Sequence, residues 1–566
     1  MKKPALLLFF SFYILILASC HDKKAPAAAL IDDIHLKRGD VVLCGVPDKQ
    51  FGSVEFTISS SEKVKGDFNL AISMLHSFEY DEAEKVFAKI IDEDPECAMA
   101  YWGVAMSNFH ALWAPPTQVE LEKGAKAISI AQSVATKSKR ETAYIDAIAS
   151  FYSDWNKTDH RTRCQRFEKA MEKVHMDFPD DKEAAVFYAL SLDASANPAD
   201  TSFANQKKAA NILFGLYPGE PNHPGIVHYI IHSYDYPELA ALALPAARKY
   251  ASIAPSSAHA QHMPSHIFTR LGLWDEDIQS NLVAKASAKC YAENTGIKAH
   301  WDEELHALDY LVYSYLQKGD NNLAKKEWSY LDSIDAVSPI NFKVAYAYAA
   351  IPSRCLLENK DWKAAAILET HPPNLSWEKY PWQKAIIHFT RLLGAANTGH
   401  TDAARTELKN LHTVYDTLMN QKDPYKARQV EIQMKTGEAW ILFKEGKNNE
   451  ALSLMNTAAD IEDKTEKHPV TPGEVLPARE LLGDMLMEMN KPTEALEAYK
   501  ADLKRHPNRF NGLYGAGIAA EKTGNVALAK SYYQQLAEIA TTSQRSELEK
   551  AHSFLKTNKA IPLAQR

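Results

Sequence analysis

The sequence predicts an all-α chain built as a solenoid of helix–turn–helix units, with a short irregular or strand-like segment near its N-terminus. The first observation is a fixed interval of 34 residues between like residues, at Gly483/Gly517, Ala495/Ala529 and Tyr499/Tyr533. The second is that two histidine pairs, HYIIH (228–232) and HMPSH (262–266), recur at the same interval. The third is a helical period of apolar residues that begins at about residue 64.

An interval of 34 residues is the period of the tetratricopeptide repeat, whose two helices pack closely and whose copies stack into a superhelix. In the first unit, Ala83 falls where the two helices approach and Pro95 ends the second helix. We count roughly ten units along the chain. They predict an N-terminal array over residues 64–340 and a C-terminal array over residues 341–566.

The N-terminus predicts export and lipid attachment. Residues 1–19 contain two lysines followed by an apolar run, which is typical of a signal peptide. The run ends in LASC, which resembles the lipobox of bacterial lipoproteins and makes Cys20 the predicted lipidation site. We therefore expect a lipid anchor in the membrane of a bacterial cell envelope. The outer membrane is favoured because His21, and not Asp, follows Cys20.

Residues 20–63 are predicted to be a lipidated tether followed by a short extended segment. Within residues 40–60, apolar and polar residues alternate and are interrupted by Gly and Pro, which indicates one or two short strands or extended stretches. The helical pattern begins directly after this segment.

Composition argues against nucleic acid as a partner. The chain has 566 residues with 64 Lys+Arg and 72 Asp+Glu, so its net charge is −8. Binding to phosphates requires a basic surface, and this charge balance does not supply one.

The cysteines have no metal-binding or thiol-redox spacing. Cys97, Cys290 and Cys355 lie in helical patterns and are predicted to be small buried apolar residues. Cys44 lies in the strand-like stretch VVLCGV and is the one that can differ from these. An exported protein can also form a disulfide, so that alternative stays open.

The repeat phase places histidines on the concave face of the superhelix, where such arrays bind ligands. With Pro224 and Ala258 as the first positions of their repeats, several histidines fall in rows along the first helices. The residues predicted to face this groove and to bind a partner are His76, His110, His228, His232, His259, His262 and His266.

Four of these residues also predict a metal site. His228 and His232 are four residues apart, as are His262 and His266, so each pair projects from one helix face. Imidazoles from two adjacent helices can then converge on one ion, and nitrogen ligands suit zinc or copper. Candidates to complete or orient this site are Asp235, Glu238, His306 and Asp309.

Other interpretations of these histidines stay open. Their rings can stack on Tyr229, Tyr234 or Tyr313, or contact a bound peptide. Pro264 lies between His262 and His266 and lacks the amide that a continuous helix needs. We therefore expect it to kink the helix or to start a new one, which can separate these two rings.

The sequence gives little reason to expect an enzyme, and we assign no catalytic residue. HYIIH lacks the glutamate of the HExxH protease motif. The chain also has no GxSxG and no phosphate-binding GxxxxGK[ST] motif.

Several segments resemble a family of bacterial tetratricopeptide proteins. They are LHSFEYDEA, MAYWGVAMSNFHALW, HPGIVHYIIHSYDYPELA, HMPSHIFTRLGLW and PARELLGDML, spread over residues 75–486. The resemblance implies the repeat architecture but no activity. The combination of a lipobox and such repeats is also similar to SusD-like glycan-binding lipoproteins, although the characteristic segments of that group are missing.

Three functions are supported as hypotheses. The leading one is a membrane-anchored scaffold that binds a protein or peptide in its groove. The alternatives are a metal-binding or metal-dependent protein using His228, His232, His262 and His266, and a lipoprotein that captures glycans.

Overall fold

The computed structural model describes residues 25–44, 51–112, 115–197 and 200–558, and most of these residues are helical. The predicted signal peptide and Cys20 lie outside these ranges. The helices are α1 Ala28–Asp32, α2 Glu62–His76, α3 Tyr80–Glu93, α4 Ala98–Ser107, α5 Gln118–Ser133, α6 Lys139–Tyr152, α7 His160–Asp177, α8 Lys182–Ser195, α9 Ala204–Leu216, α10 Pro224–Ser233, α11 Ala240–Ile253, α12 Ala258–His262, α13 Pro264–Leu271, α14 Trp274–Thr295, α15 Asp302–Gln317, α16 Asn321–Asp332, α17 Phe342–Leu357, α18 Trp362–Ala366, α19 Pro381–Asn397, α20 Thr401–Asn420, α21 Pro424–Lys444, α22 Asn448–Glu462, α23 Ala478–Glu488, α24 Pro492–Arg505, α25 Phe510–Lys522, α26 Val526–Ile539 and α27 Ser546–Thr557. Short parallel strands β1 (His300–Trp301) and β2 (Val337–Ser338) pair with each other, and a 3-10 turn covers Trp377–Lys379.

The predicted all-α solenoid of tetratricopeptide type is confirmed. Consecutive helices pack as pairs, such as α2 with α3, α10 with α11 and α25 with α26. The first helix of a pair lies on the inner side and contacts neighbours all round, so that all ten residues of α4 are buried. The second helix is amphipathic, and in α20 the buried side is a stripe of Ala, Leu and Val.

The 34-residue recurrence of glycine and tyrosine has a packing cause. A Cβ atom on Gly517 would lie 2.4 Å from the ring of Tyr533, and one on Gly483 would lie 2.6 Å from the ring of Tyr499. Each tyrosine of a second helix therefore rests directly on the backbone of the first helix of its own repeat. Small residues are required there because no side chain fits between the ring and the helix.

The inner helices also meet across the axis of the superhelix. Helix α2 contacts α10, although three repeats lie between theirs in the chain, and α15 contacts α25 in the second half. Much of the predicted concave face is therefore packed against protein. Side chains that point inward in these regions are therefore buried within the protein and do not line a wide open groove.

Residues 51–58, which precede the first repeat, are irregular and form no strand. Phe56 packs against Phe68, Trp102 and Tyr144 at ring-centroid distances of 5.1 to 5.6 Å. The segment thus contributes apolar side chains to the first array.

Cys44 and Cys290 form a disulfide, with Cα atoms 5.8 Å apart and 246 residues between them in sequence. The prediction that Cys290 is only a buried apolar residue was wrong, because its partner comes from a segment far outside its own repeat. Cys97 and Cys355 are free and buried, as predicted, and so is Cys164.

The loop between α22 and α23 fills the interior of the second array. The hydroxyl of Tyr310 donates to the carbonyl of Val470 at 3.2 Å, and Arg354 Nη2 donates to the carbonyl of Gly473 at 2.8 Å. At its start, Lys467 reaches back to Asp235 of the first array. This loop thus connects the two halves of the chain.

Two clusters of buried apolar side chains form the core. One runs from Ile34 to Phe268 and the other from Ile278 to Ala551, so the predicted array boundary at 340/341 falls inside the second cluster. Among the described helices, none combines the length and apolar character needed to cross a bilayer.

We predict that Gly517→Ala destabilises the protein, because the added methyl group must displace the buried ring of Tyr533. The expected loss is about 1–3 kcal/mol in the free energy of unfolding. Gly66→Ala is the control, since Gly66 is exposed within α2 and its Cβ would meet no other atom within 4 Å. That change should stabilise by about 0.5–1 kcal/mol. The stability of both variants is measured by urea unfolding followed by circular dichroism. Equal unfolding midpoints for Gly517→Ala and Gly66→Ala would contradict the packing argument.

We predict that Cys290→Ser lowers stability by about 2–5 kcal/mol, because it frees a very long loop in the unfolded chain. Cys355→Ser is the matched control, since Cys355 is a buried but unpaired thiol. Peptide mapping without reductant should recover the Cys44–Cys290 linkage, and reductant should lower the thermal midpoint of the parent and of Cys355→Ser but not that of Cys290→Ser. Equal thermal shifts in the two variants would speak against the linkage.

Candidate metal centre

Six histidines gather on the inner helices of three successive repeats. Helix α10 carries His228 and His232, and α12 carries His259 and His262. His266 lies on α13 and His306 on α15. Helix α10 starts at Pro224. The preceding residue, His223, is the N-cap, because its ring nitrogen accepts a hydrogen bond from the backbone amide of Ile226.

The first trihistidine group consists of His228, His232 and His259. The Nε2 atom of His228 lies 2.9 Å from Nε2 of His232 and 3.1 Å from Nε2 of His259. The spacing of four within α10 brings the first two rings together, and α12 of the next repeat supplies the third. The group is thus built from adjacent repeats, as the sequence phase indicates.

The second trihistidine group consists of His262, His266 and His306. The Nε2 atoms of His262 and His266 are 3.2 Å apart, and the ring centroids of His262 and His306 are 4.2 Å apart. Pro264 does start a new helix, but Met263 keeps helical dihedrals (φ −55°, ψ −35°), so the two rings stay on one side. Pro264 thus starts a new helix, which is one of the two outcomes expected, without separating the rings of His262 and His266.

The sequence predicts four rings around one ion, whereas the structure sorts six rings into two groups of three. Within each group, one candidate ligand atom of every histidine lies within 4.8 Å of the others. His306, predicted only as an accessory residue, and His259, predicted only as a groove residue, complete the groups.

Oxygen acceptors hold the outer ring nitrogens of His228, His262 and His266. His228 Nδ1 donates to the carbonyl of His76 at 2.6 Å, and His262 Nδ1 donates to Asn281 Oδ1 at 2.7 Å. The amide of Asn281 is oriented because its Nδ2 donates to Asp277 Oδ1 at 2.7 Å. A second partner that binds the far nitrogen of a ligand histidine, and so fixes its tautomer, is a common feature of metal sites.

His266 is held by a carboxylate. Its Nδ1 donates to Asp235 Oδ2 at 3.2 Å, while Arg270 Nε and Lys467 Nζ bind the same carboxylate at 2.8 and 3.2 Å. Burial acts to raise the pKa of Asp235, but Lys467 and Arg270 outweigh it and lower the pKa below its usual value. Asp235 therefore stays ionised and accepts a hydrogen bond from the Nδ1–H group of His266.

These bonds determine where the lone pairs point. A neutral imidazole that donates through Nδ1 carries a lone pair on Nε2. The lone pairs of His262 and His266 thus face each other across 3.2 Å, and the single lone pair of His228 faces two ring nitrogens. Three ligands of a tetrahedral ion at 2.0–2.1 Å would have nitrogens separated by about 3.3 Å. The measured separations of 2.9 to 3.2 Å between ring nitrogens are close to this value.

Burial favours the neutral form of these rings. It lowers the pKa of His228, His232, His259, His262 and His306 well below the usual value, and the neighbouring imidazoles act in the same direction. Neutral imidazole is the form that binds transition metals.

His76, Glu183 and His223 form a third cluster, but with a different character. Glu183 accepts from His76 Nε2 at 2.9 Å and from His223 Nε2 at 2.8 Å, and the hydroxyl of Tyr229 lies 2.9 Å from His76 Nδ1. Both far nitrogens and both carboxylate oxygens thus have ordinary hydrogen bonds. We assign this cluster to the packing of α2, α8 and α10, where it also positions the carbonyl that holds His228.

The other candidates lie elsewhere. His110 is half-buried against Tyr80 and pairs with Glu120 at 3.2 Å, away from both groups. Asp309 forms an ion pair with Arg354, and Glu238 is exposed on the surface. His76 is fully buried, so it does not line an open groove.

Asn281 and Lys467 could not be recognised from the repeat pattern. Asn281 lies on the second helix of a repeat, where the phase predicts only packing residues, and Lys467 lies in a non-repeat loop. The sequence feature that points to Lys467 is the loop itself, because a Pro- and Gly-rich stretch that interrupts a regular array has to pack against another part of the protein.

Comparisons with known proteins agree with the fold. A family model described as tetratricopeptide repeat matches residues 481–543, the pair of units with the clearest 34-residue interval. No curated protein sequence matches the chain. Solved structures with similarity include the human IFIT1 dimer with m7Gppp-AAAA, at 11% identity and TM-score 0.32, covering 82% of this chain and 95% of that chain. The TPR domain of P58(IPK) has 14% identity and TM-score 0.21, covering 88% and 100%. TM-scores this low carry no functional argument.

We predict that Asn281→Leu weakens metal binding about 10–100-fold, the usual effect of losing a partner that orients a ligand. The change removes the acceptor of His262 Nδ1 while roughly keeping the side-chain volume. Asn294→Leu, on the exposed side of the same helix α14, is the control. Competition with a chromophoric chelator measures the affinity, and equal affinities in the two variants would exclude an orienting role.

Proposed function

We propose that this chain is a tetratricopeptide-repeat protein that binds transition metal ions, one in each trihistidine group. The observation that carries the proposal is the pair His262 and His266, whose Nδ1 atoms both donate outward, so that their Nε2 lone pairs face each other across 3.2 Å. Facing lone pairs of two neutral rings repel unless a cation lies between them. In the other group, the lone pair of His228 Nε2 faces the Nε2 atoms of His232 and His259. Protonation is a poor alternative, because burial disfavours the charged ring.

Zinc and copper are the ions that this ligand set favours, because both accept imidazole nitrogen. Three protein ligands leave a fourth position of a tetrahedral ion open, which is the arrangement of reactive and not of purely structural sites. The proposed function is therefore binding of a small ligand, or chemistry on it, at a metal held inside the solenoid.

The burial of the histidines favours this function over the binding of a peptide by the same residues. His228, His262 and His266 are at most 3% exposed, so a polypeptide side chain does not reach them, whereas His232 and His259 are half-buried. Glycan capture relies on exposed aromatic rings, and among the described residues the aromatic side chains are buried or half-buried. For location, we propose the lipid anchor at Cys20, on sequence grounds alone.

Elemental analysis tests the proposal. Protein produced with added zinc or copper and then dialysed should retain stoichiometric metal, and His228→Ala and His262→Ala should each lose about one equivalent. His412→Ala, which changes an exposed histidine on α20, is the matched control and should retain all of it. Metal addition should raise the thermal midpoint of the parent protein, because an ion that binds only the folded state stabilises it.

Folding of each variant is checked by comparing its circular dichroism with that of the metal-free parent. Parent protein that holds no metal after exposure to either ion, and whose thermal midpoint does not change with metal or chelator, would refute the proposal. Equal metal content in His228→Ala and the parent would refute the assignment of the first group.

A further inference from the structure

We infer that the two trihistidine groups form a single binuclear centre, in which two metal ions share one small anionic ligand from solvent. The inference rests on the proposed function and adds two things to it: the coupling of the ions and the class of ligand. The ligand is a hydroxide or another small anion that donates oxygen or nitrogen.

The placement of the ligands on the helices brings the groups side by side. His259 and His262 are three residues apart on α12, within one helical turn, yet they belong to different groups. Residues at this spacing have Cβ atoms about 5–6 Å apart. One turn of helix therefore supplies a ligand to each ion.

A second pair of rings connects the groups from the other side. His232 of the first group and His266 of the second have ring centroids 6.4 Å apart, at an interplanar angle of 68°. Nε2 of His232 points to His228, and Nε2 of His266 points to His262. The two proposed cation positions therefore lie on opposite sides of the contact between the rings of His232 and His266. Bridged metal pairs in proteins lie about 3.5–4 Å apart, and we place the two ions of this centre at that separation.

The charge of the site argues for an anion between the ions. Among the described residues, both groups consist of histidines alone, so the ligands bring no negative charge. Two divalent ions would add four positive charges to a buried region that already contains Lys467. Asp235 is an acidic residue in direct contact with a ligand histidine, and its carboxylate already accepts hydrogen bonds from His266, Arg270 and Lys467. An anion from solvent, bound at the open positions of both ions, lowers this charge where it is highest.

Copper(II) gives a direct readout, because two copper(II) ions joined by a single-atom bridge couple magnetically and lose their spin resonance signal. The full-length protein is titrated with copper(II), and chemically measured copper is compared with the integrated electron paramagnetic resonance intensity. We expect the signal to grow with the first equivalent and to fall at least fivefold per copper with the second. Azide, used as the probe anion, should give a charge-transfer absorption at one azide per two copper ions.

His306→Ala and His232→Ala, each removing one ligand from one group, should bind one copper with full signal intensity. His412→Ala should behave as the parent does. Two copper ions with full and uncoupled intensity in the parent, or azide bound at one per copper, would overturn the binuclear centre while leaving the metal-binding function intact. One copper per parent chain would overturn the binuclear centre and also the assignment of one ion to each group, whereas a parent that binds no copper and no zinc would remove metal binding altogether.

Discussion

The packing of inner helices across the axis of the superhelix is the constraint on which this structure depends. Side chains that point inward meet other protein groups, so polar atoms there must find partners within the chain. Glu183 illustrates the usual solution, since two imidazoles satisfy both of its oxygens. The two trihistidine groups are different, because the outer nitrogens of His228, His262 and His266 bind oxygens while their inner nitrogens face other ring nitrogens. Hydrogen bonding within the chain does not account for the facing nitrogens of His262 and His266.

Connections between distant parts of the chain hold the inner helices in position. The disulfide joins the N-terminal segment to α14, Lys467 joins the second array to Asp235, and Trp274 Nε1 donates to the carbonyl of Asn508 at 2.7 Å. A solenoid alone is only as rigid as its nearest-neighbour contacts. A ligand set spread over three repeats needs its helices fixed within about 0.5 Å. These cross-connections supply a rigidity that stacking does not.

Much of the fold could be predicted because periodicity reports contacts between neighbouring repeats. The 34-residue interval indicated the helix pairs and the shared face of His228 and His262. Contacts across the axis could not be predicted, since they depend on curvature that accumulates over four or more repeats. For that reason the burial of His76, the partner of Cys290 and the roles of Asn281 and Lys467 were out of reach. The division into two groups was not predicted because His306 lies in a repeat that is out of register with the 34-residue interval of the preceding repeats.

The equal spacing of the two histidine pairs also restricts how this chain can change in length. One residue added within a helix rotates the remainder of that helix by about 100°, so an insertion within α10 or α12 would direct one imidazole pair away from the other. Elsewhere the array has absorbed such changes, for α14 has 22 residues where α11 has 14. Under the proposed function, the stretch between residues 228 and 266 is the part of the solenoid whose length has to be kept, and variation in repeat length is expected to accumulate outside it.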